Sequence, residues 1–326
     1  MEENNKIKLN DSIWANLEYQ LANHLLNEAF VNPNLNHKIE NSEIVYHYTT
    51  LESFISILES QSFYFTNLNY LNDRKEYDHG VDIILDTLKL HTHNEVSESK
   101  LKILTYVEKN LESVHKSTRY IACFSKNGDL LSQWRSYGNQ GKGISVGFKT
   151  SDLEYFDGGF INCMNIEYRE EFQRKIIYEI IKIILDYFEN IKSSIDWIDY
   201  NYELLVSKSI VQILEEFISN FKDPSFDEEK EFRLEYKIDE NINENDNSKL
   251  FFRSNGSLII PFYKIEYVDK NDTHSIESNY KKLPIEKIII GPSLDYDLNK
   301  NSIEIFLSKL GYKNIEIIQS KIPYRI

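Results

Sequence analysis

Two cysteines in 326 residues, Cys123 and Cys163, leave no disulfide framework and no zinc ribbon. Neither belongs to a CxxC pair. Both fall in apolar segments that read as strands, so free, buried thiols are expected. No run of about 18 apolar residues occurs, so a membrane-spanning helix is not expected. The opening residues MEENNKIKLN are polar and acidic without an apolar stretch. No secretory signal is therefore expected, and the cytoplasm is the default location. Positive charge is also short: 37 Lys and Arg stand against 52 Asp and Glu, a net charge of −15. A chain of that balance has no average attraction for a phosphate backbone, which disfavours dedicated duplex binding but leaves room for a local basic groove.

What is present is a large apolar and aromatic fraction, 41% and 13%, enough for a substantial core. DSIWANLEYQLANHLLNEAF predicts a first helix capped by Asp11 or Ser12, and VNPNLNHKIENS a polar linker. EIVYHYT and SFYFTNL predict strands on either side of a short helix, LESFISILES, whose Leu51, Phe54, Ile55 and Leu58 share a face. Asn72 or Asp73 then caps a helix over about 74–91, with Glu76 near N3 as in a capping box. HTHNEVSESK predicts an exposed loop, followed by a helix to about 115.

RYIACFS, GKGISVGF, EKEFRLEYKI, GSLIIPFYKIEY, EKIIIGP and NIEIIQS predict further strands, with a helix over NKNSIEIFLSKLGY ending at Gly311. Between about 169 and 221, apolar residues at three- and four-residue spacing predict two long antiparallel helices as an insertion. The expected fold is α+β: a mixed, largely antiparallel central sheet with flanking helices and a two-helix insertion. Residues 1–42 form a helical arm and linker, and 43–326 a single domain. The loop ENINENDN is expected to be solvated.

Four stretches place polar groups at strand ends, where a rigid scaffold displays function: YHYTT, NYLNDRKEY, CFSKNGDLLSQWRSYGNQGKG and DEEKEFRLEY. Together with Gly143-Ile144, Gly147-Phe148, Ile289-Ile290-Gly291-Pro292 and the closing Ser320-Lys321-Ile322-Pro323-Tyr324-Arg325, they resemble the bacterial DUF2971 family from about residue 44 onward. Phe232 departs from the pattern, since the family usually has Trp there. It keeps the ring and loses an indole donor.

The order of parts is also similar to the ADP-ribosyltransferase superfamily: His47 on an early strand, Ser125 on a middle strand, Glu231 on a late one. That similarity implies NAD as substrate, passed to an unidentified acceptor macromolecule or to water. Glu231 would polarise the ribose, with Glu229 the competing acid. His47 would anchor NAD by donating to a ribose hydroxyl, with Tyr48 and Thr49 beside it. Ser125 would support the nicotinamide side. Arg135 or Arg233 would contact phosphate, Trp134 would line the site, and Asn72 would shape its lip. A toxin or antiphage role belongs to the same expectation, as does a partner protein or a homo-oligomer.

The chemistry is consistent with these residue types. Cleaving the N-glycosidic bond of NAD builds positive charge on the ribose, which a carboxylate on a firm strand stabilises. Glu229, Glu231 and Arg233 alternate, so an extended segment puts all three on one face. Each residue also has a plainer explanation. His47 fits a core histidine bonded to a backbone carbonyl, the acidic row fits an exposed strand face, Trp134 fits a core anchor, and Asn72 and Asp73 fit a helix cap. GNQGKG lacks the ending of a phosphate-binding loop and leads into a strand, so it predicts a tight turn. His79, His91 and His93 sit in polar context without visible support for a metal, and none is expected. The alternatives are a non-catalytic nucleotide-binding sensor or interaction protein, and a metal-dependent nuclease using Asp73, Glu76 and Glu229.

Overall fold

The structure, a computed structural model, describes residues 7–8, 43–71, 76–94, 97–111, 119–153, 156, 161–191, 195–196, 202–238, 247–268 and 282–324. The proposed first helix, the linker after it, Asn72, Asp73 and most of the ENINENDN loop lie outside them. In chain order the elements are β1 (Ile7–Lys8), β2 (Ile44–Thr49), α1 (Leu51–Ser60), β3 (Ser62–Asn67), α2 (Glu76–Asn94), α3 (Glu98–Leu111) and β4 (Arg119–Ser125). There follow α4 (Leu131–Ser136), β5 (Ile144–Lys149), β6 (Ile161–Asn165), α5 (Glu170–Ile191), β7 (Ile195–Asp196), α6 (Tyr202–Ile218) and β8 (Glu231–Lys237). The chain ends with β9 (Leu250–Ser254), β10 (Ile259–Glu266), β11 (Ile285–Ile290), α7 (Tyr296–Lys309) and β12 (Glu316–Gln319).

Contacts divide the chain into two compact units. One comprises 1–38, 75–115 and 167–224, the other 39–74, 116–166 and 225–326. The first unit is helical. Within it α2 packs against α3, α5 and α6, and α3 lies along α6. The long insertion thus shares its unit with the helices that follow residue 75. His91, Thr92 and His93 belong to α2 instead of a loop, because the apolar spacing of IILDTLKL carries the helix through them. The His91 ring stacks on Tyr178 at 4.0 Å and its Nε2 meets the Tyr178 carbonyl oxygen at 3.0 Å. His79 meets Gln173 Oε1 at 3.0 Å. Both histidines are held by neighbours of this unit.

The second unit is built on a ten-stranded sheet in the order β12-β11-β5-β2-β4-β3-β10-β9, with β8 attached to β4 and β6 to β8. Every pairing in it is antiparallel except β11 with β12, so the sheet is mixed and mostly antiparallel. One face carries Val45, Phe63, Phe65, Ala122, Phe124, Val146, Phe148, Phe232 and Leu234, which form one buried cluster with Phe54 and Leu58 of α1 and Ile303 and Leu307 of α7. Helix α1 starts where Thr50 accepts a hydrogen bond from the Ser53 amide at 3.2 Å, a normal N-cap. It buries Phe54, Ile57 and Leu58, while Ile55, expected on the same face as Phe54, stays 45% exposed. Neither cysteine is in a disulfide and both are half-buried, less enclosed than expected: Cys123 alternates with the cluster residues Ala122 and Phe124, and Cys163 packs at the margin of the cluster. Among the described residues no helix is long and apolar enough to cross a membrane.

Candidate functional site

Strand β4 organises the site. Along one edge it pairs with β8 over its full length, from Arg119 opposite Lys237 to Ser125 opposite Glu231. Its other edge is shared. β2 reaches it at Tyr46 opposite Ser125, and β3 reaches it at Thr66 opposite Ile121 and Asn67 opposite Tyr120. Between these contacts β2 and β3 diverge, and the edge of β4 at Cys123 is left open as a fork in the sheet.

His47 stands at that fork. Its Nδ1 lies 2.9 Å from the carbonyl oxygen of Cys123 and donates to it. The ring borders Phe124 at 5.4 Å and Phe63 at 6.1 Å. Burial among these rings lowers its pKa below the usual histidine value. The bond to Cys123 opposes that shift, and the positive charge of Arg253 reinforces it. The imidazole is therefore neutral at pH 7. A carbonyl oxygen only accepts, so Nδ1 carries the proton and Nε2 is left as an acceptor. Nε2 has no partner among the described residues and is not a sealed atom, and the residue keeps intermediate exposure. The expected donation from His47 to a ribose is thus corrected, because its one N–H is already spent on Cys123.

The acidic row is also different from expectation. Glu231 begins β8, but Glu229 ends a 3-10 turn, Pro224–Glu229, and Lys230 between them has φ 45°. The extended alternation breaks there, so the two carboxylates do not share a strand face. Glu231 and Arg233 do. They form a bidentate pair, Nε to Oε1 and Nη2 to Oε2, both 2.7 Å, and both side chains are buried. Glu235, two residues on, meets Arg119 at 2.8 Å and is equally buried. The row is an interior seam of charge, where an exposed strand face was the plain expectation.

Cross-strand register places these groups relative to one another. Tyr46, Ser125 and Glu231 are direct lateral partners, so they lie on one face of the sheet. His47 follows Tyr46 and projects to the other face, toward the aromatic cluster. The sheet therefore brings Ser125, Glu231 and Arg233 together and sets His47 and Thr49 apart from them. Ser125 is itself engaged: its Oγ donates to the Glu229 carbonyl at 2.7 Å and accepts from the Asn127 amide at 3.1 Å. Tyr46 leans across glycines. A Cβ at Gly147 or Gly128 would collide with its ring, which is why both positions lack one.

Tyr48, Trp134 and Arg135 belong to a third grouping. The Tyr48 hydroxyl donates to the Asn127 carbonyl at 2.7 Å and accepts from the Leu130 amide at 2.9 Å, and burial pushes its pKa up. Its ring meets Trp134 edge to face at 4.9 Å. Trp134 is fully buried and donates Nε1 to Asp129 at 2.7 Å. Asp129 also accepts from Ser320 Oγ at 2.5 Å and from the Lys321 amide at 2.7 Å, clasping the C-terminal segment. Arg135 is exposed, 5.3 Å from the Tyr324 ring centre. Asp129 escaped the sequence reading, although its place between CFS and QWR was the available signal.

Among the described residues no group of three His, Cys, Asp or Glu side chains is arranged to hold a metal. No curated protein and no solved structure matches the chain. A family model does match, over residues 133–234, from Gln133 in α4 to Leu234 in β8. That stretch contains Trp134, Arg135, Glu231 and Arg233 and begins after the strand of the fork histidine, Ile44–Thr49. Over those residues the chain matches the model of the family described as Protein of unknown function (DUF2971).

Proposed function

We propose that the sheet unit is a binding module for a nucleotide of the NAD type, seated at the fork between β2 and β3. The observation that supports this is the neutral His47, whose Nε2 has no partner among the described residues, placed between the points where β2 and β3 pair with β4. A ribose hydroxyl is a donor that such a nitrogen takes, and a neutral imidazole incurs no ionic desolvation when the ligand arrives. Recognition is favoured over glycosyl transfer because His47 and Glu231 project from opposite faces, while the transferase resemblance places both groups on one bound NAD.

A second reading has one observation in its favour. Ser125 and Glu231 are side by side on one face, the relation the transferase similarity asks of its serine and acid. On that reading the enzyme releases nicotinamide and passes ADP-ribose to water or to an acceptor, in the role of a toxin or defence effector. Equilibrium dialysis against NAD, with nicotinamide followed in the same samples, separates the two. Retained NAD without nicotinamide is the expected result. Release of nicotinamide that Glu231→Gln abolishes, with an unchanged melt, would overturn the binding reading in favour of the second.

A further inference from the structure

Beyond the fork, strand β3 continues into β10 and β9, and this end of the sheet carries a second arrangement. Strands β3, β10 and β9 are neighbours, and register puts Tyr64 and Thr66 on the same face as Phe262 and Lys264 of β10 and Phe251 and Arg253 of β9. Phe262 is the centre. Tyr64 lies 5.0 Å from it, tilted, and Phe251 lies 5.9 Å from it, nearly parallel. Arg253 sits 5.7 Å above the Phe262 ring and donates Nη2 to Thr66 Oγ1 at 2.9 Å, which fixes the guanidinium in place. Lys264 Nζ lies 6.0 Å from the Phe251 ring centre. Phe251 is 43% exposed.

The charges are the unusual part. In a chain with 15 more acidic than basic residues, a cation near the surface readily finds a carboxylate. Neither Arg253 nor Lys264 has one among the described residues. Glu266 is the one acid that follows on the same face of β10, opposite Ser62 at the strand's end. Partial burial lowers the Arg253 pKa, as expected for a cation losing water without an ionic partner. Neighbouring strands are about 4.8 Å apart, so the exposed Phe251 and the half-buried Tyr64, on either side of the buried Phe262, are about 10 Å apart, the span of two or three stacked bases.

We infer that this face of β3, β10 and β9 binds single-stranded nucleic acid, with Phe251 and Tyr64 stacking bases and Arg253 and Lys264 contacting phosphates. A base in a duplex is already stacked and hides its faces, so the surface discriminates against double strands. The two cations give attraction where the molecule's average charge gives none. The inference needs neither His47 nor Cys123, although the surface shares β3 with the fork.

Fluorescence anisotropy tests it, using labelled oligouridine and oligothymidine of about 12 nucleotides and a duplex of the same length. The full chain is titrated at about 50 and 200 mM salt. Micromolar binding of single strands, weaker for the duplex, is expected. Phe251→Ala should weaken it roughly 5- to 100-fold, the worth of one stacked base. Lys264→Gln should lower the slope of log affinity against log salt by about 0.7, the loss of one single-strand phosphate contact. Both side chains are at the surface, so an unchanged thermal melt shows the fold intact. No single-strand binding at the lower salt, equal affinity in the variants, or equal affinity for the duplex would overturn it. So would a concentration-dependent dimer that Phe251→Ala abolishes, which would assign the face to a second copy of the chain.

Discussion

Nε2 of His47 is where the functional proposal meets a titration. The folded chain holds this imidazole neutral, with a pKa below the unfolded value near 6.5. For such a group the unfolded state binds the proton more readily. Its contribution to stability is present above about pH 6.5 and is lost as pH falls below that value toward the folded pKa. His47→Asn keeps an N–H at the position of Nδ1 for the Cys123 carbonyl and removes the titrating ring. Melting temperatures between pH 7.5 and 5.5 should therefore fall less steeply for His47→Asn than for the wild type. Parallel curves would show that the ring is not buried neutral.

At the same scale Asp129 gathers three donors, and Asp129→Ala leaves Trp134 Nε1 sealed without a partner. A loss of about 2–4 kcal/mol in urea unfolding is expected, with faster amide exchange at Lys321 and Ile322. The stretches YHYTT and QWRSY that make Tyr48 and Trp134 visible in sequence say nothing of this clasp, because Asp129 and Ser320 are 191 residues apart.

Among elements, β8 is the most consequential. Arg233→Met removes the partner of a buried carboxylate and should cost about 3–5 kcal/mol, whereas Glu231→Leu with Arg233→Met should cost much less than the two single changes summed. A double-mutant cycle in urea measures this, and additive losses would mean that the pair is not coupled. Alternation in EFRLEY already puts Glu231 and Arg233 on one face. It did not tell whether that face is inside, since period two is the same for a solvated face and a buried seam.

Glu229 was misplaced because a single left-handed residue, Lys230, ends the alternation, and lysine carries no signal for it. Long amphipathic helices were the easiest elements to read: α5 and α6 repeat apolar residues through many turns. β9 was missed, being five residues beside a charged loop with little burial to pattern it.

For the whole molecule, the mixed antiparallel sheet and the helical insertion follow from local periodicity, but the fork does not. It depends on two strands from one β-α-β unit meeting opposite ends of β4, a pairing that no stretch of sequence encodes alone. The same register decides that His47 and Glu231 face opposite ways, which the linear order of His, Ser and Glu left open. The central claim is that the open edge at Cys123 receives a nucleotide through His47. Titration calorimetry of NAD into the wild type and into His47→Asn tests it most directly. The account predicts saturable binding to the wild type and an affinity lower by about tenfold in the variant, the worth of one hydrogen bond. Equal affinity for the two proteins, or no saturable heat with the folded wild type, would contradict it.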